Sequence, residues 1–349
     1  MRIWFNHWFS TAWHLIRLMA RGAEGPATFI GSGSNPRAVY RQACDEWYPE
    51  AELPDDEYVE FCLDFCREHA IDVFAPRRGL PAIADAADRF AAQGVRLLCE
   101  RNGALVRLLD SKTDSYAYFA ERIPEIVPDY RLAHSLEEFR EACDALRSPS
   151  GRLCYKLARD EGARSFRVLD DSIEGLKALM AKPGTKVTRR AAEAILSQYD
   201  FSIPVMVMPY LSGADVSVDA LDTNSGRLLL PRFKVGRYSE VRPEPRVMAL
   251  CDRIMDLLRP EMPVNIQFKM EGDTPWLLEI NPRMSGGLQL SCLATGIDLP
   301  ALALRKVLGL PTPWRYPEPW PTKGVVNLET PIVVDEGTVR QAGPSQGEG

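Results

Sequence analysis

The sequence lacks the residue patterns of several common catalytic and metal sites. It has only 4 histidines, and its 8 cysteines form no Cys-x-x-Cys motif and no Cys/His cluster with zinc spacing. Cys62 and Cys66 lie four residues apart on one face of a predicted helix, where buried thiols in a reducing compartment are the simpler interpretation. No Gly-x-x-x-x-Gly-Lys-Ser/Thr motif occurs, which excludes P-loop chemistry.

Long hydrophobic runs are also missing, and none reaches the length that spans a bilayer. The apolar N-terminal stretch is interrupted by polar residues and is not followed by a small-residue cleavage site. The net charge of −6 argues against a general nucleic-acid or acidic-membrane binder. We therefore expect a cytoplasmic protein without a nucleic-acid or membrane partner.

What the chain does have is 46% hydrophobic and 26% charged residues over 349 positions, enough for a sizeable core and about two domains. Up to about residue 108, strands and helices alternate at βαβ spacing, which predicts a parallel sheet covered by helices. The predicted strands are 2–5, 27–30, 71–75 and 95–99. The predicted helices are 55–69, 81–93 and one that Ser10 caps and Gly22 ends.

Beyond residue 108 the sequence predicts a mixed architecture, with Ser135 and Glu138 forming a capping box. The predicted helices are 111–123, 135–146, 246–258, 286–295 and 299–309. The predicted strands are 152–158, 165–169, 203–208, 214–222, 227–237, 263–271 and 275–281. A proline-rich connector covers 311–321, a last strand is predicted near 323–329, and the tail 335–349 is expected to be disordered.

The segment "FIGSGSNP" (29–36) follows a strand and raises the question of a dinucleotide site. Pro36 stands where a Gly-x-Gly-x-x-Gly motif needs its third glycine, and no acidic residue follows at a suitable distance. A tight turn after a Rossmann-like strand is therefore the favoured interpretation.

The strongest functional pattern is the predicted hairpin "VNIQFKMEGDTPWLLEINPR", in which apolar and polar residues alternate on both strands. If the turn is centred on Asp273, Gln267 opposes Glu279 and lies diagonally from Asn281. One carboxylate and two carboxamides are hard oxygen donors that suit Mg²⁺. A solvated polar face of an ordinary hairpin is the alternative.

An anion site is predicted directly after this hairpin. Arg283 can bind a phosphate or a developing oxyanion through two N–H groups. Ser285, Gly286 and Gly287 offer backbone N–H groups where the next helix begins.

At this point "LLEINPRMSGG" resembles the metal-binding signature of ATP-grasp enzymes, and is closest to the carbamoyl-phosphate-synthetase-like and amino-acid-ligase-like branch. The resemblance covers about residues 1–310. It implies an α/β and α+β fold: a Rossmann-like preATP-grasp domain (1–108) followed by a two-lobed ATP-grasp domain (109–310). The covering lobe would be about 125–208 and the catalytic lobe about 209–310, before the connector and last strand (311–334).

The same resemblance implies the site residues. "LDSKTDSY" and "YKLARDEGARSFRVL" are similar to the phosphate-binding lysine segments, and "MPYLSGADVSVDAL" is similar to the strand that contacts adenine and ribose. The nucleotide-binding residues would be Lys112, Lys156, Gly162, Arg164, Met208, Tyr210 and Asp215. The metal ligands would be Gln267, Glu279 and Asn281, and the catalytic groups Arg283, Gly286 and Gly287.

Several positions depart from the family pattern. Asp160 and Ser165 replace glycines of the phosphate-covering loop, which predicts a stiffer loop or a weaker grip on phosphate. Pro209 stands where an acid is common, which shifts adenine recognition to backbone groups of Met208 and Tyr210. The acidic pair Asp160 and Glu161 could instead contact an amine substrate. Arg232, Lys234 and Arg237 either line the cleft or face solvent.

The resemblance implies a ligase that uses ATP and Mg²⁺, with Mn²⁺ as an alternative ion, to join a carboxylate to an amine through an acyl phosphate. Two alternatives remain: carbamoyl-phosphate-type chemistry on bicarbonate, and a nucleotide-binding regulatory protein without turnover. The resemblance also implies a homodimer through the N-terminal domain. The sequence does not identify the two small-molecule substrates.

Overall fold

The computed structural model describes residues 1–159, 164–173, 184–321 and 324–328, apart from the side chains of Asp55 and Asp56. Gly162, the pair Asp160 and Glu161, and the predicted tail lie outside the described residues. The chain forms two compact units. The first contains Met1–Asp110, Val216–Ile266 and Ile280–Gly349, and the second contains Ser111–Asp215 and Gln267–Glu279. The domain ranges expected from the sequence remain predictions.

The N-terminal part of the first unit is built on a five-stranded parallel sheet in the order β3-β2-β1-β4-β5, which confirms the predicted Rossmann-like layout. The strands are β1 (Arg2–Asn6), β2 (Thr28–Gly33), β3 (Glu46–Pro49), β4 (Val73–Ala75) and β5 (Arg96–Leu97). The sheet order reverses at β1, so the connections lead to both sides of this central strand.

Helices α1 (Ala12–Met19), α2 (Asp55–Glu68), α3 (Leu80–Asp85), α4 (Ala87–Ala92) and α5 (Gly103–Asp110) accompany this sheet. Two predictions here are wrong. The predicted helix 81–93 is two helices that meet at Ala86, whose ψ of 11° leaves the helical range. The cap of α1 is Thr11 rather than Ser10, and Thr11 makes no side-chain capping hydrogen bond.

Both faces of the sheet are buried because alternate residues of β1 enter different hydrophobic clusters. Ile3 and Phe5 pack into one cluster, and Trp4 packs into the other. The Trp4 ring stacks on Phe74 with 3.9 Å between ring centroids. Its indole N–H donates to Ser32 Oγ at 2.6 Å, so the buried polar atom is satisfied.

The second unit contains a sheet in the order β6-β10-β7-β8-β9. Its strands are β6 (Arg131–Ala133), β7 (Leu153–Leu157), β8 (Arg167–Leu169), β9 (Lys186–Val187) and β10 (Val205–Pro209), and its helices are α6 (Lys112–Arg122), α7 (Leu136–Ala145) and α8 (Arg189–Leu196). Ser135 Oγ accepts from the Glu138 N–H at 3.1 Å, which confirms the predicted cap of α7. The Glu138 carboxylate accepts from the N–H of His134, one residue earlier than a standard capping box uses.

The third sheet has the order β13-β12-β11-β14-β15. Its strands are β11 (Asp215–Thr223), β12 (Gly226–Val235), β13 (Tyr238–Val241), β14 (Val264–Glu271) and β15 (Thr274–Asn281), and the accompanying helices are α9 (Pro245–Leu258), α10 (Leu288–Thr295) and α11 (Leu299–Val307). The predicted strand 227–237 is cut short because Gly236 turns the chain with a φ of 60°. Within the described part of 323–329, Val325 makes a single bridge to Ser239 instead of a strand.

In the described residues, every helix falls short of the length and apolarity that crossing a membrane requires.

Candidate nucleotide and metal site

The predicted hairpin is present, but its turn differs from the prediction. Strands β14 and β15 have equal lengths and are joined by the two residues Gly272 and Asp273, with Gly272 at a φ of 58°. The turn is therefore centred between Gly272 and Asp273 and not on Asp273 alone. Leu277 and Ile280 are both fully buried, so the regular alternation along β15 is broken between them and the turn does not by itself fix the pairing at Glu279. The pairing of Gln267 with Glu279 and the metal-ligand role of Gln267 stay predictions.

Glu279 and Asn281 occupy alternate positions near the end of β15, so they project from the same face of the strand. Both side chains are half-buried, as is Gln267. The donor set contains a single acid, and the described residues hold no cluster of three His, Cys, Asp or Glu that could bind a metal by itself. One carboxylate with two carboxamides fits Mg²⁺, which keeps positions for phosphate oxygens and water.

Two lysines meet next to Glu279 within the second unit. Ser111 caps α6 by accepting from the Asp114 N–H, which places Lys112 in the first helical turn. Lys156 lies on β7, opposite Met206 of β10, and is 9% exposed. Burial, with a further contribution from the nearby Lys156 ammonium, lowers the pKa of Lys112 to about 7, although the Glu279 carboxylate opposes both effects. This lysine cluster (Lys112, Lys156 and Glu279) brings together two lysines and one acid from three separate segments.

Tyr116 holds the lysine cluster together and was not predicted from the sequence. Its hydroxyl donates to the carbonyl of Leu277 at 2.8 Å, which ties α6 to β15. The Lys112 ammonium lies 5.3 Å from the centroid of the Tyr116 ring, within cation–π range. Tyr116 is fully buried, and this burial raises the pKa of its hydroxyl. No sequence motif signals this role, because the Leu277 carbonyl that accepts from Tyr116 lies 161 residues away in the chain.

The predicted adenine- and ribose-contacting segment follows β10. Met208 is buried and pairs with Cys154 of β7. The backbone N–H of Tyr210 donates to the Arg152 carbonyl at 2.9 Å, and the Tyr210 carbonyl accepts from Ser150 Oγ at 2.7 Å. Both backbone groups of Tyr210 are thus engaged. Asp215 begins β11, where its carboxylate accepts from Lys269 Nζ at 2.8 Å.

The described end of the phosphate-covering segment shows how its serine is used. Ser165 Oγ accepts from the Leu157 N–H at 2.9 Å, so the residue that replaces a glycine anchors the segment to β7. Arg164 is exposed, and its carbonyl accepts from the Arg167 guanidinium at 3.0 Å. The stiffness of the loop itself stays a prediction, because residues 160–163 lie outside the described part of the chain.

Arg283 lies just after β15 in the first unit. Its guanidinium donates to Asn281 Oδ1 at 3.3 Å and to the Met284 carbonyl at 3.2 Å, and it lies 5.5 Å from the Phe9 ring centroid. These contacts orient the guanidinium group. The arrangement therefore suits recognition of an anion.

The glycines after Arg283 allow a second arginine to approach the backbone. A Cβ atom on Gly287 would lie 2.4 Å from the Arg232 guanidinium, whereas one on Gly286 would come no closer than 3.4 Å, to Thr11 Oγ1. Arg232 donates to Ser217 Oγ at 3.2 Å. Arg232 is half-buried, whereas Lys234 and Arg237 of the same segment are exposed. The structure thus separates one interior cation from two that face solvent.

A buried carboxylate accompanies Arg232. Asp219 of β11 is 2% exposed, and burial raises its pKa while Arg232 opposes this effect. Asp219 accepts from the Asn265 amide at 3.0 Å. Ser285 lies close enough to favour the charged form of Asp219, but its hydroxyl does not reach hydrogen-bonding geometry with any described residue. Neither Asp219 nor Asn265 was singled out from the sequence.

Sequence comparisons match part of the chain to known proteins. Residues 202–331 match the family model described as ATP-grasp in the biosynthetic pathway with Ter operon. The chain is 27% identical over 123 residues to the carbamoyl phosphate synthase large chain of Thermoanaerobacter pseudethanolicus. That match covers 30% of this chain and 11% of the relative, so the chain spans only a small part of that much longer protein.

Structural comparisons extend the likeness to most of the chain. The biotin carboxylase domain of Hydrogenobacter thermophilus 2-oxoglutarate carboxylase, a dimer with MgADP, ADP and bicarbonate, superposes with a TM-score of 0.63 at 15% identity, over 90% of this chain and 71% of that one. N5-carboxyaminoimidazole ribonucleotide synthetase from Thermus thermophilus has a TM-score of 0.62 at 16% identity, over 89% and 79%. The Staphylococcus aureus N5-carboxyaminoimidazole synthetase with ADP has a TM-score of 0.63 at 11% identity, over 89% and 78%. The chain thus resembles ATP-grasp proteins in the sequence of residues 202–331, and it shares its fold with the biotin carboxylase domain and with N5-carboxyaminoimidazole ribonucleotide synthetase.

Proposed function

We propose that this protein is an ATP- and Mg²⁺-dependent ligase that joins a carboxylate to an amine and releases ADP and phosphate. The observation that carries the proposal is the lysine cluster, because it brings two lysines and one acid from separate segments close together. Two ammonium groups suit the β- and γ-phosphates, and the acid suits a phosphate-bound cation. The domain ranges and the nucleotide role of Gly162 belong to the same proposal.

In this proposal the residues mainly position and neutralise charge. Lys112 and Lys156 bind the phosphates, with Arg164, Met208, Tyr210 and Asp215 as further nucleotide contacts. Gln267, Glu279 and Asn281 would hold Mg²⁺ or Mn²⁺. When bound, the ion neutralises phosphate charge and orients the γ-phosphoryl group toward the carboxylate.

The second step would use the groups that follow β15. The γ-phosphoryl transfer converts the substrate carboxylate into an acyl phosphate, and the amine then attacks the acyl carbon and displaces phosphate. The Arg283 guanidinium and the Gly286 and Gly287 N–H groups would stabilise the oxyanion of this attack. The half-buried position of Arg283 directly after β15 supports this role.

One alternative has specific support. The likeness to the carbamoyl phosphate synthase large chain favours phosphorylation of bicarbonate or carbamate as the competing reaction. A regulatory protein without turnover is disfavoured, because Glu279, Asn281 and Arg283 are all retained. We also propose a cytoplasmic location, as the sequence analysis expects, and a homodimer, as the resemblance implies.

The deciding experiment is a phosphate-release screen of carboxylate and amine pairs with MgATP, with bicarbonate plus ammonia as one pair. We expect ADP and phosphate to form only when both components of the right pair are present, and mass spectrometry to show their dehydrated adduct. Release of AMP and pyrophosphate would replace this mechanism with adenylation. ADP formed only with bicarbonate would select the alternative.

Nucleotide binding is expected to take up a proton near Lys112. With a pKa of about 7, the Lys112 side chain is about 90% in its neutral amine form at pH 8 in the free protein. Phosphate charge raises the pKa of Lys112, so binding at pH 8 should take up about 0.9 proton, falling toward about 0.1 at pH 6. Calorimetry of MgADP binding in buffers of different ionisation enthalpy measures this uptake.

Lys112→Arg is the matched control, because arginine keeps the charge and stays protonated at these pH values. The variant should bind MgADP without proton uptake at pH 8. Equal uptake by the variant and the native protein would assign the proton to another group.

A further inference from the structure

Arg232 of β12 is a cation that lies at the positive end of a helix. A Cβ atom on Gly287 would come within 2.4 to 2.8 Å of three of its guanidinium atoms, so the group rests directly against the Gly287 backbone. Gly287 is the N-cap of α10, and the free N–H groups of a helix N-terminus carry a partial positive charge. A cation at this end of a helix is unfavourable unless an anion lies nearby.

That anion is the buried carboxylate of Asp219, and a chain of hydrogen bonds joins it to the arginine. Arg232 donates to Ser217 Oγ at 3.2 Å. The Asn265 amide donates to the same Ser217 Oγ at 2.8 Å and to Asp219 Oδ1 at 3.0 Å. Burial raises the pKa of Asp219, and the Arg232 guanidinium is the strongest of the influences that lower it. Each charge therefore depends on the other, because removing one leaves its partner buried and uncompensated.

Asp219 also contacts α10 itself. Its Oδ2 accepts from Ser291 Oγ at 3.4 Å, and a carboxylate near the first turn of a helix stabilises that helix. The start of α10 depends on Gly287, whose carbonyl accepts from the Leu290 N–H at 3.0 Å. The Asp219 carboxylate thus acts on the helix directly and on the N-cap of the helix through Arg232.

The glycine at 287 has a steric reason that points to Arg232. Its φ of −107° is one that other residues adopt, so the backbone conformation does not require glycine. A side chain there would collide with the guanidinium, whereas a Cβ atom on the neighbouring Gly286 would fit at 3.4 Å from the nearest atom. The missing side chain of Gly287 therefore serves the close approach of Arg232.

We propose that Arg232 is a positioning residue that holds the backbone of Gly287, and that Asp219 holds Arg232 in place. The Gly286 and Gly287 N–H groups are proposed above to stabilise an oxyanion, and their effect depends on where they lie. A displacement of about 1 Å in a reacting site costs up to about 100-fold in rate. The catalytic consequence of this inference rests on the proposed ligase function, whereas the positioning itself does not.

Hydrogen exchange of the full chain without substrate, followed by mass spectrometry, tests the positioning. Arg232→Lys loses the planar guanidinium, and Asp219→Asn loses the charge that holds it. We expect each variant to speed exchange in the peptide 285–290 about tenfold, because the turn opens more often. Arg237→Lys makes the same change at an exposed arginine next to β12 and should exchange like the native protein. If Asp219→Asn fails to fold, Arg232→Lys decides alone, and native exchange in that variant overturns the inference.

Kinetics separates positioning from general stabilisation of the fold. With the active substrate pair, Arg232→Lys should lower kcat about tenfold and leave the KM for MgATP unchanged. Gly287→Ala should also lower kcat, because its Cβ displaces the guanidinium. The same change made in Arg232→Ala should cost much less, since the atoms that it would meet are gone. Losses that simply multiply in the double variant would overturn the link between Arg232 and Gly287.

The two measurements keep this inference apart from the ligase function. If exchange responds in Arg232→Lys but no pair yields ADP, the positioning stands, and the ligase function fails together with the catalytic consequence. If a pair yields ADP and Arg232→Lys matches the native protein in exchange and kcat, the ligase function stands and the inference fails. Faster exchange with a native kcat overturns the catalytic consequence alone.

Discussion

Replacing Glu279 with alanine is expected to lower substrate-dependent ADP release by about 100-fold or more. The change removes the single carboxylate of the predicted metal set and the anion that faces Lys112. Loss of several kcal/mol of charge stabilisation corresponds to at least two powers of ten in rate. Steady-state ADP release at saturating MgATP measures the effect.

Asp273→Ala is the matched control, because this acid is exposed in the turn of the same hairpin. It should keep near-native activity and thermal stability. A Glu279→Ala variant that folds and still turns over at the native rate would remove Glu279 from the site and return the protein to the regulatory alternative.

Arg283→Lys is expected to lower kcat by about 100-fold while MgADP affinity changes little. Lysine keeps the positive charge but loses the planar pair of N–H groups that contacts Asn281 and Met284 and can hold an oxyanion. Removing one donor to an oxyanion costs about 10²–10³ in rate. The kcat from ADP release, together with the calorimetric affinity for MgADP, separates catalysis from nucleotide binding.

Arg237→Lys makes the same chemical change at an exposed arginine and should leave both quantities unchanged. A parallel loss of MgADP affinity in Arg283→Lys would place Arg283 at the nucleotide instead of the reacting carbonyl.

The elements of this fold were predictable where a regular period extends over enough residues. Helix α2 and the long strands β11, β14 and β15 follow clear hydrophobic patterns, and their predicted bounds are close to those observed. Strand β9 has only two residues, too few for any period to emerge. Helix α5 was missed although Asn102 marks its start, because the Asn102 side chain accepts from the Leu105 N–H at 3.1 Å as a helix cap does.

The site was only partly predictable, for two physical reasons. A motif names residues but does not fix the turn: Gly272 adopts a left-handed φ and forms a two-residue turn with Asp273, where the sequence predicted a turn centred on Asp273. Motifs also omit partners supplied by the tertiary structure. Tyr116, Asp219 and Asn265 act through contacts to distant segments, and nothing in their local sequence announces them.

The order of the segments limits how the second unit can be separated from the rest. A fragment containing only 111–215 would lack the hairpin tip 267–279 that completes this unit. It would leave the Tyr116 hydroxyl without the Leu277 carbonyl as its acceptor and would remove Glu279 from beside Lys112. Such a fragment would keep both lysines but lose the acid of the cluster. The second unit therefore cannot be transplanted as one continuous piece of chain, and a graft into another scaffold must carry two segments.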